Sequence, residues 1–198
     1  MATQPTQGQS KTSPFNLPNA ITVLRILLVP VVIALVFQAP STNSWQRWLA
    51  VSAFVISIAT DGVDGSIARR RGLITDLGKI LDPIADKALI GGAFVSLSIL
   101  GQIDWWITIA ILVRELGITT YRLVVVRRRV LAASTGGKVK TVLQAVAVGF
   151  YLSPLSALWQ PIEVIQYLIL LAAVVLTVSS GLQYVILEVK AGRARRRG

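Results

Sequence analysis

The chain has 198 residues, of which 54% are hydrophobic and only 15% are charged, and its mean hydropathy is +0.66. Soluble domains carry about 25% charged residues, so this composition predicts an integral membrane protein built as one small helical domain. Cysteine and histidine are absent, which excludes disulfides, thiol nucleophiles, zinc-finger-type sites and histidine general bases. Any chemistry must come from carboxylates, hydroxyls, basic side chains and bound metal.

The formal net charge of +11 comes from basic residues that cluster beside apolar segments. This placement favours contact with anionic lipid head groups and phosphorylated substrates, and it argues against a nucleic acid partner. The polar segment 1–13 is predicted to be a disordered tail, not a signal peptide, because the apolar run behind it is too long. Residues 14–189 form the predicted membrane domain, and 190–198 a basic tail at the lipid surface.

Six apolar runs, each close to the length of about 20 residues that crosses a bilayer, predict six transmembrane helices in an all-α fold. Short polar breaks separate them, and several of these breaks contain proline or glycine. The runs cover 20–38, 46–67, 80–101, 105–126, 141–160 and 164–187.

Charge placement predicts the orientation of these helices. With both termini and the loops after the second and fourth helices on one side, every Lys and Arg except Arg47 lies on that side. The positive-inside rule makes this face cytoplasmic and places both termini inside. All five tryptophans fall near the opposite helix ends, where an interfacial aromatic belt is expected.

Two stripes of acidic and small residues flank the loop between the second and third predicted helices. Residues three, four and seven apart share a helix face. A short loop makes these helices antiparallel neighbours, so the two stripes would face each other at the cytoplasmic end. Pro83 either lies in the first turn of the third helix, with Asp82 as N-cap, or kinks a longer helix. The stripes are Asp61, Asp64, Gly65 and Ala68, followed by Gly78, Asp82 and Asp86.

Acidic side chains at a membrane boundary are costly, so four of them at fixed spacing indicate function. Their convergence requires compensating charge, most simply one or two divalent cations. The small residues leave room for a ligand or a neighbouring backbone, and Arg69 offers a forked donor suited to phosphate. Asp76 stands outside the spacing and is predicted to be a solvated loop residue.

This segment resembles the signature of the CDP-alcohol phosphotransferases, D-x2-D-G-x2-A-R-x8-G-x3-D-x3-D, and matches it at every defined position. The resemblance implies an enzyme in which aspartates bind two Mg²⁺ or Mn²⁺ ions that hold the diphosphate of a CDP-linked donor. It further implies that Asp86 is both a metal ligand and the general base for the acceptor hydroxyl. The other implied metal ligands are Asp61, Asp64 and Asp82, and the implied donor pocket is Asp64, Gly65, Ala68, Arg69 and Gly78.

Basic residues outside the signature bear on the acceptor. Arg114 and Glu115 lie near mid-depth of the fourth predicted helix, and they form either a buried ion pair that fixes helix packing or part of a ligand site. The lysines before the fifth helix are either positive-inside anchors or phosphate ligands. A group of Arg and Lys beside a metal site would suit an acceptor that is itself a phosphate. The predicted acceptor ligands are Arg122, Lys138, Lys140, Arg114 and Arg25.

From Asn16 to about Lys140 the chain is similar to one branch of this family, the phosphatidylglycerophosphate synthases. That similarity implies attack by the hydroxyl of glycerol 3-phosphate on CDP-diacylglycerol, and it implies a homodimer in the cell membrane. Inositol phosphate or phosphatidylglycerol as acceptor remains the alternative within the family. A prenyltransferase would carry two separated Asp-rich motifs, and a cation transporter would show broken helices and repeated halves, neither of which the sequence contains.

Overall fold

A computed structural model describes residues 17–39, 44–71, 75–125 and 135–195. Within these ranges it describes all side chains except those of 17–18, 63–71, 76–77, 79, 122–125, 135–138 and 188–195. The described residues form helices and no strands, which confirms the all-α prediction. The helices are α1 (Leu17–Gln38), α2 (Trp45–Arg71), α3 (Asp76–Ile99), α4 (Trp105–Val125), α5 (Thr135–Leu152), α6 (Leu155–Leu158) and α7 (Pro161–Arg195).

The third helix begins earlier than the hydropathy predicted. Thr75 is its N-cap, with extended backbone angles and a hydroxyl that accepts the amide N–H of Gly78 at 3.0 Å. Asp76 is therefore the first helical residue, and its assignment to a loop was wrong. Pro83 lies inside α3, so Asp82 is not a cap and the alternative of a longer helix through the proline is confirmed.

The last two long helices also differ from their apolar runs: α5 starts before its run and ends at Leu152, short of the predicted end at 160, and α7 extends beyond its run at both ends. Helix α5 begins at Thr135, so the backbone of Gly136, Gly137 and Lys138 belongs to its first turn and not to a loop. A glycine costs about 1 kcal/mol relative to alanine within a helix, a cost that the extensive packing of α5 on α7 offsets. Helix α7 continues to Arg195, into the segment predicted as a basic tail.

Helix α1 lies between α2 and α3 and packs extensively on both, whereas α2 and α3 touch each other only slightly. The predicted packing of α2 and α3 as close neighbours was therefore wrong, because α1 packs on both helices and its Arg25 and Thr22 contact Asp61 and Asp82. Helix α5 packs on α7 and also touches α2 and α3, while α4 connects α3 to α7. One apolar core, which includes Val32, Phe54, Phe94, Ile111, Val148 and Leu170, runs through all six long helices.

Many large apolar side chains point outward from the bundle. Within the described ranges, Asn19–Gln38 and Pro161–Leu187 are long and apolar enough to cross a membrane. Val139–Leu152 is a shorter apolar helix. Outward-facing residues such as Leu27, Val113 and Leu187 are more than half exposed. An apolar exterior of this kind suits lipid contact and indicates a membrane-associated protein.

Candidate active site

The singled-out polar residues whose side chains the structure describes lie toward one end of the bundle. They belong to the N-terminal parts of α1, α3 and α5, to the C-terminal half of α2 and to the middle of α4. Side-chain contacts between these helices, described below, define this as the site end. The five tryptophans lie at or before the N-terminal ends of α2, α4 and α7, and all five are exposed. They therefore mark the opposite end of the molecule.

A polar side chain near the start of α1 forms hydrogen bonds to the N-cap of α3. The amide of Asn19 and the hydroxyl of Thr75 exchange hydrogen bonds at 2.8 and 3.1 Å. Gly78 lies directly against this pair, since a Cβ atom there would come within 2.7 Å of Asn19 Oδ1. A larger residue in place of this glycine, which is predicted for the donor pocket, would therefore displace the Asn19 side chain.

Three carboxylates lie on both sides of α1. Asp61 on α2 is paired with Arg25, and Asp82 on α3 accepts a hydrogen bond from Thr22 Oγ1 at 2.8 Å. The side chain of Asp61 is 50% exposed and that of Asp86 is 31% exposed. The negative charges of Asp82 and Asp86 act on Asp61, so the three acids share one electrostatic environment. We call Asp61, Asp82 and Asp86 the carboxylate cluster.

The carboxylate cluster has the chemistry of a site for a hard divalent cation. Its donors are carboxylate oxygens, the ligands that Mg²⁺ and Mn²⁺ prefer, and they repel one another and remain partly open to solvent. Among the described side chains no three acids are gathered closely enough to form a finished metal cage. The side chain of Asp64, the fourth acid of the signature, lies outside the described part of the chain. The donor set therefore fits a cation.

A second polar group surrounds Glu115 on α4, whose side chain is only 7% exposed. Lys140 of α5, itself 5% exposed, is paired with Glu115 Oε1, and Arg114 Nη1 lies 2.9 Å from the same oxygen. Lys87 Nζ of α3 lies 2.8 Å from Glu115 Oε2, and Gln144 Nε2 of α5 lies 3.4 Å from Oε1. We call Glu115, Lys87, Arg114, Lys140 and Gln144 the Glu115 cluster.

The Glu115 cluster is also tied to α7 and to the carboxylate cluster. Arg114 Nη2 donates to Ser180 Oγ at 2.8 Å, and Gln144 Nε2 donates to Thr177 Oγ1 at 2.8 Å. Lys87 Nζ lies 3.2 Å from Asp86 Oδ2 and so contacts one acid of each cluster. Four helices are thereby joined through buried or half-buried polar side chains around one glutamate.

The structure brings some predicted acceptor ligands together and separates another. Lys140 and Arg114 meet at Glu115, which confirms the ion pair between Arg114 and Glu115, and their role as acceptor ligands stays a prediction. Arg25 does not join them: it is 1% exposed and paired with Asp61. The helices that carry the remaining predicted site residues are described, but their side chains are not. These residues are Asp64, Gly65, Ala68, Arg69, Arg122 and Lys138.

Among the residues of the site that were not predicted from the sequence are Thr75, Lys87 and Gln144. Thr75 could have been recognised as a helix N-cap, because threonine is a preferred N-cap residue and its hydroxyl can accept the backbone N–H of the third residue after it. Lys87 adjoins Asp86 and Gln144 lies one turn beyond Lys140, but neither position is distinctive without knowledge of Glu115 as their common partner. Burial of Glu115 is a property of the packed bundle.

Comparison with known proteins points to one group of enzymes. A family model described as CDP-alcohol phosphatidyltransferase matches residues 15–179. The chain is 44% identical over 187 residues to a probable phosphatidylglycerophosphate synthase of Mycobacterium tuberculosis, covering 93% of this chain and 88% of that protein. It is 37% identical to the CDP-diacylglycerol–glycerol-3-phosphate 3-phosphatidyltransferase of Bacillus subtilis and 36% identical to that of Escherichia coli K12. Both alignments cover 86% of this chain and 93% of the relative.

Proposed function

The chain belongs to the CDP-alcohol phosphatidyltransferase family, and we propose that it transfers the phosphatidyl group of CDP-diacylglycerol to sn-glycerol 3-phosphate. The products are phosphatidylglycerol phosphate and CMP. The observation that carries this proposal is the function named for relatives that match nearly the whole chain at 36–44% identity. The arrangement of charge at the site end supports it, because acids that suit a cation lie next to basic residues that suit a phosphate.

The carboxylate cluster handles the donor. Asp61, Asp64 and Asp82 would hold Mg²⁺ or Mn²⁺, with Asp86 as a further ligand. Ions bound there would neutralise charge on the diphosphate and stabilise CMP as the leaving group. Thr22 and Arg25 hold Asp82 and Asp61 from α1, so the side chains of three helices are oriented before substrate arrives.

The reaction forms one phosphorus–oxygen bond and breaks another. The primary hydroxyl of glycerol 3-phosphate attacks the lipid-linked phosphorus of CDP-diacylglycerol, and the bond from that phosphorus to the CMP oxygen breaks. Asp86 accepts the proton of the attacking hydroxyl. Its partial exposure and its contact with Lys87 place it at the boundary between the two clusters, where donor and acceptor must meet.

Basic residues of the Glu115 cluster and nearby basic residues bind the acceptor. Lys140 and Arg114, together with Arg122 and Lys138, would surround the phosphate of glycerol 3-phosphate with charge-assisted hydrogen bonds. Lys140 already has an oxyanion partner in Glu115, so it is held in place in the absence of substrate. A phosphorylated alcohol is favoured over a neutral one because a buried cationic region is stabilised by an anion.

The same proposal includes the membrane arrangement. Six membrane-spanning helices, with both termini and the site end on the cytoplasmic side, agree with the basic residues at one end and the exposed tryptophans at the other. The basic C-terminal residues would contact anionic lipid. A homodimer is also part of the proposal, and light scattering of the purified protein tests it.

A turnover assay on detergent-purified protein tests the function. CDP-diacylglycerol is offered with Mg²⁺ and, in separate reactions, glycerol 3-phosphate, inositol, inositol phosphate, serine or phosphatidylglycerol, and both CMP and the lipid product are followed. We expect CMP and phosphatidylglycerol phosphate with glycerol 3-phosphate alone. EDTA should stop the reaction, and Mg²⁺ or Mn²⁺ should restore it.

The possible results separate the parts of the proposal. Turnover with another alcohol would keep the donor chemistry and refute the acceptor assignment. Turnover in EDTA would refute the role of the metal. Folded protein that releases no CMP with any alcohol would refute the proposed function as a whole.

A further inference from the structure

Lys87 is shared between two carboxylates with different proposed roles. Its Nζ atom lies 2.8 Å from Glu115 Oε2 and 3.2 Å from Asp86 Oδ2. Asp86 is a proposed metal ligand, and a lysine ammonium is a cation that competes for the same carboxylate oxygens. Binding of a metal ion at Asp86 therefore requires that Lys87 does not neutralise this carboxylate.

Glu115 competes with Asp86 for the ammonium of Lys87. Its side chain is 7% exposed, and water cannot substitute for the charges around it, so its attraction for nearby cations is less screened than that of Asp86 at 31% exposure. The shorter of the two Lys87 contacts is the one to Glu115. The other partners of Glu115, on α4 and α5, fix its carboxylate so that it cannot follow Lys87 toward Asp86.

We propose that Glu115 is a positioning residue that draws the ammonium of Lys87 away from Asp86 and so keeps Asp86 open to a divalent cation. Glu115 is itself a ligand of neither substrate nor metal in this arrangement, and it acts on Asp86 through Lys87. The inference rests on the proposed function, because it assumes that a divalent cation binds at the carboxylate cluster.

The sign of the expected effect distinguishes this role from a merely structural one. In Glu115→Gln the carboxylate charge is lost while the side chain keeps its shape, and Asp86 becomes the acid that Lys87 contacts. Cation binding at Asp86 should weaken about 10-fold, as found when groups that orient a metal ligand are altered. Removing the ammonium as well, in Glu115→Gln with Lys87→Met, should restore binding, since the competing charge is gone.

The test measures Mn²⁺ binding to the full-length, detergent-purified protein by electron paramagnetic resonance of free Mn²⁺. Wild type, Glu115→Gln, Lys87→Met and the double variant are compared, and CMP release is followed over a range of Mg²⁺ concentrations. We expect Glu115→Gln to require about 10-fold more Mn²⁺ and Mg²⁺ than wild type. Lys87→Met and the double variant should bind Mn²⁺ at least as tightly as wild type.

Thr108→Val provides the matched control. The hydroxyls of Thr108 and Ser98 form a buried hydrogen bond of 2.7 Å between the same two helices, α3 and α4, at the other end of the bundle. This variant loosens the helix pair without changing a charge, so Mn²⁺ affinity should equal that of wild type. Size-exclusion chromatography confirms that each variant is folded. If Glu115→Gln does not fold, Glu115→Asp replaces it, with a smaller loss of Mn²⁺ affinity that Lys87→Met should again reverse.

Each result decides between named alternatives. Unchanged Mn²⁺ affinity in Glu115→Gln would overturn the inference while leaving the proposed function intact. A loss that Lys87→Met fails to reverse would also overturn it, because Glu115 would then act through the fold and not through Lys87. Wild-type protein that neither binds Mn²⁺ nor releases CMP would overturn the proposed function and the inference together.

Discussion

The carboxylate cluster and the Glu115 cluster lie at the same end of the bundle, but they balance charge in opposite ways. In the carboxylate cluster the acids are partly exposed, and one buried arginine serves a group of several carboxylates. In the Glu115 cluster a single buried carboxylate is surrounded by Lys87, Arg114 and Lys140. Exposed surplus acid is open to a metal ion, whereas a buried surplus of cations favours a phosphate.

This comparison explains why the two clusters adjoin. A transferase must gather a metal-bound diphosphate and an anionic acceptor at one point without letting opposite charges pair among themselves. Lys87 is the described side chain that contacts both clusters, and Glu115 holds it. The acids that suit a metal ion and the basic residues that suit a phosphate thus lie on opposite sides of Lys87, and both groups remain available to ligands.

The largest effect is expected at the carboxylate cluster. Asp82→Asn removes a charged metal ligand but keeps an oxygen that can accept the hydrogen bond from Thr22. Turnover should therefore fall at least about 100-fold while the fold is retained. CMP release measures the loss. Asp104→Asn, the same change at an exposed acid before α4, is the control. Wild-type turnover in Asp82→Asn would contradict the metal assignment.

Asp61→Asn should lose activity and also stability, because it leaves the buried Arg25 without its carboxylate.

The next largest effect is a difference between the two clusters in their contribution to the free energy of unfolding. Glu115→Gln leaves buried cations without their carboxylate and should lower the free energy of unfolding by about 3 kcal/mol. Arg25→Met should cost only about 1 kcal/mol, because the half-exposed Asp61 can be hydrated in its place. Thermal unfolding of both variants in the same detergent measures the difference. Equal losses would show that the two clusters do not differ in the way that their burial indicates.

A smaller effect is expected on acceptor binding. Lys138→Ala combined with Lys140→Ala should raise the KM for glycerol 3-phosphate about 10-fold and change the KM for CDP-diacylglycerol less, since charge-assisted hydrogen bonds to the acceptor phosphate are lost. Glu115 keeps Lys87 and Arg114 as partners. Steady-state kinetics with each substrate varied provides the measurement, and Lys190→Ala in the basic C-terminal segment is the control. An unchanged acceptor KM would return both lysines to the role of membrane anchors.

The smallest effect concerns the scaffold that joins α1 to α3. Gly78→Ala would place a Cβ atom 2.7 Å from Asn19 Oδ1 and disturb its exchange of hydrogen bonds with Thr75. We expect a loss of about 1 kcal/mol, because a side chain can shift where a backbone cannot. Gly149→Ala on α5, where no heavy atom lies within 4 Å, should be neutral or stabilising. Thermal unfolding compares the two, and equal melting temperatures would refute the packing role of Gly78.

Much of the fold and part of the site follow from local sequence. Six apolar runs correspond to the six long helices α1–α5 and α7, because the apolar residues of each long helix are spread along its length and so can be detected from sequence. The acids were found by their spacing, since helical periodicity places residues three and four apart on one face. The start of α3 was missed because the cap at Thr75 precedes the apolar run that hydropathy detects.

The partners of the polar residues did not follow from local sequence. Periodicity assigned the acidic stripes to helix faces, but it could not indicate that Thr22 and Arg25 of α1 contact Asp82 and Asp61. Arg25 was grouped with the acceptor ligands because its charge suits a phosphate, and in the bundle it is paired with Asp61. Arg114 and Glu115 admitted both an ion pair and a ligand site, and the structure shows an ion pair inside a larger cationic group.

The sequence by itself determined the class of protein, the residue types available for chemistry, and the acidic signature that places it in its family. Composition and spacing are properties of the chain, and they survive any packing of the helices. Only the tertiary structure decided which charge meets which: Arg25 with Asp61, and Lys87 between Asp86 and Glu115. The reason is physical, because the strength of an ion pair depends on distance and burial, and both are set by helices that are far apart in sequence.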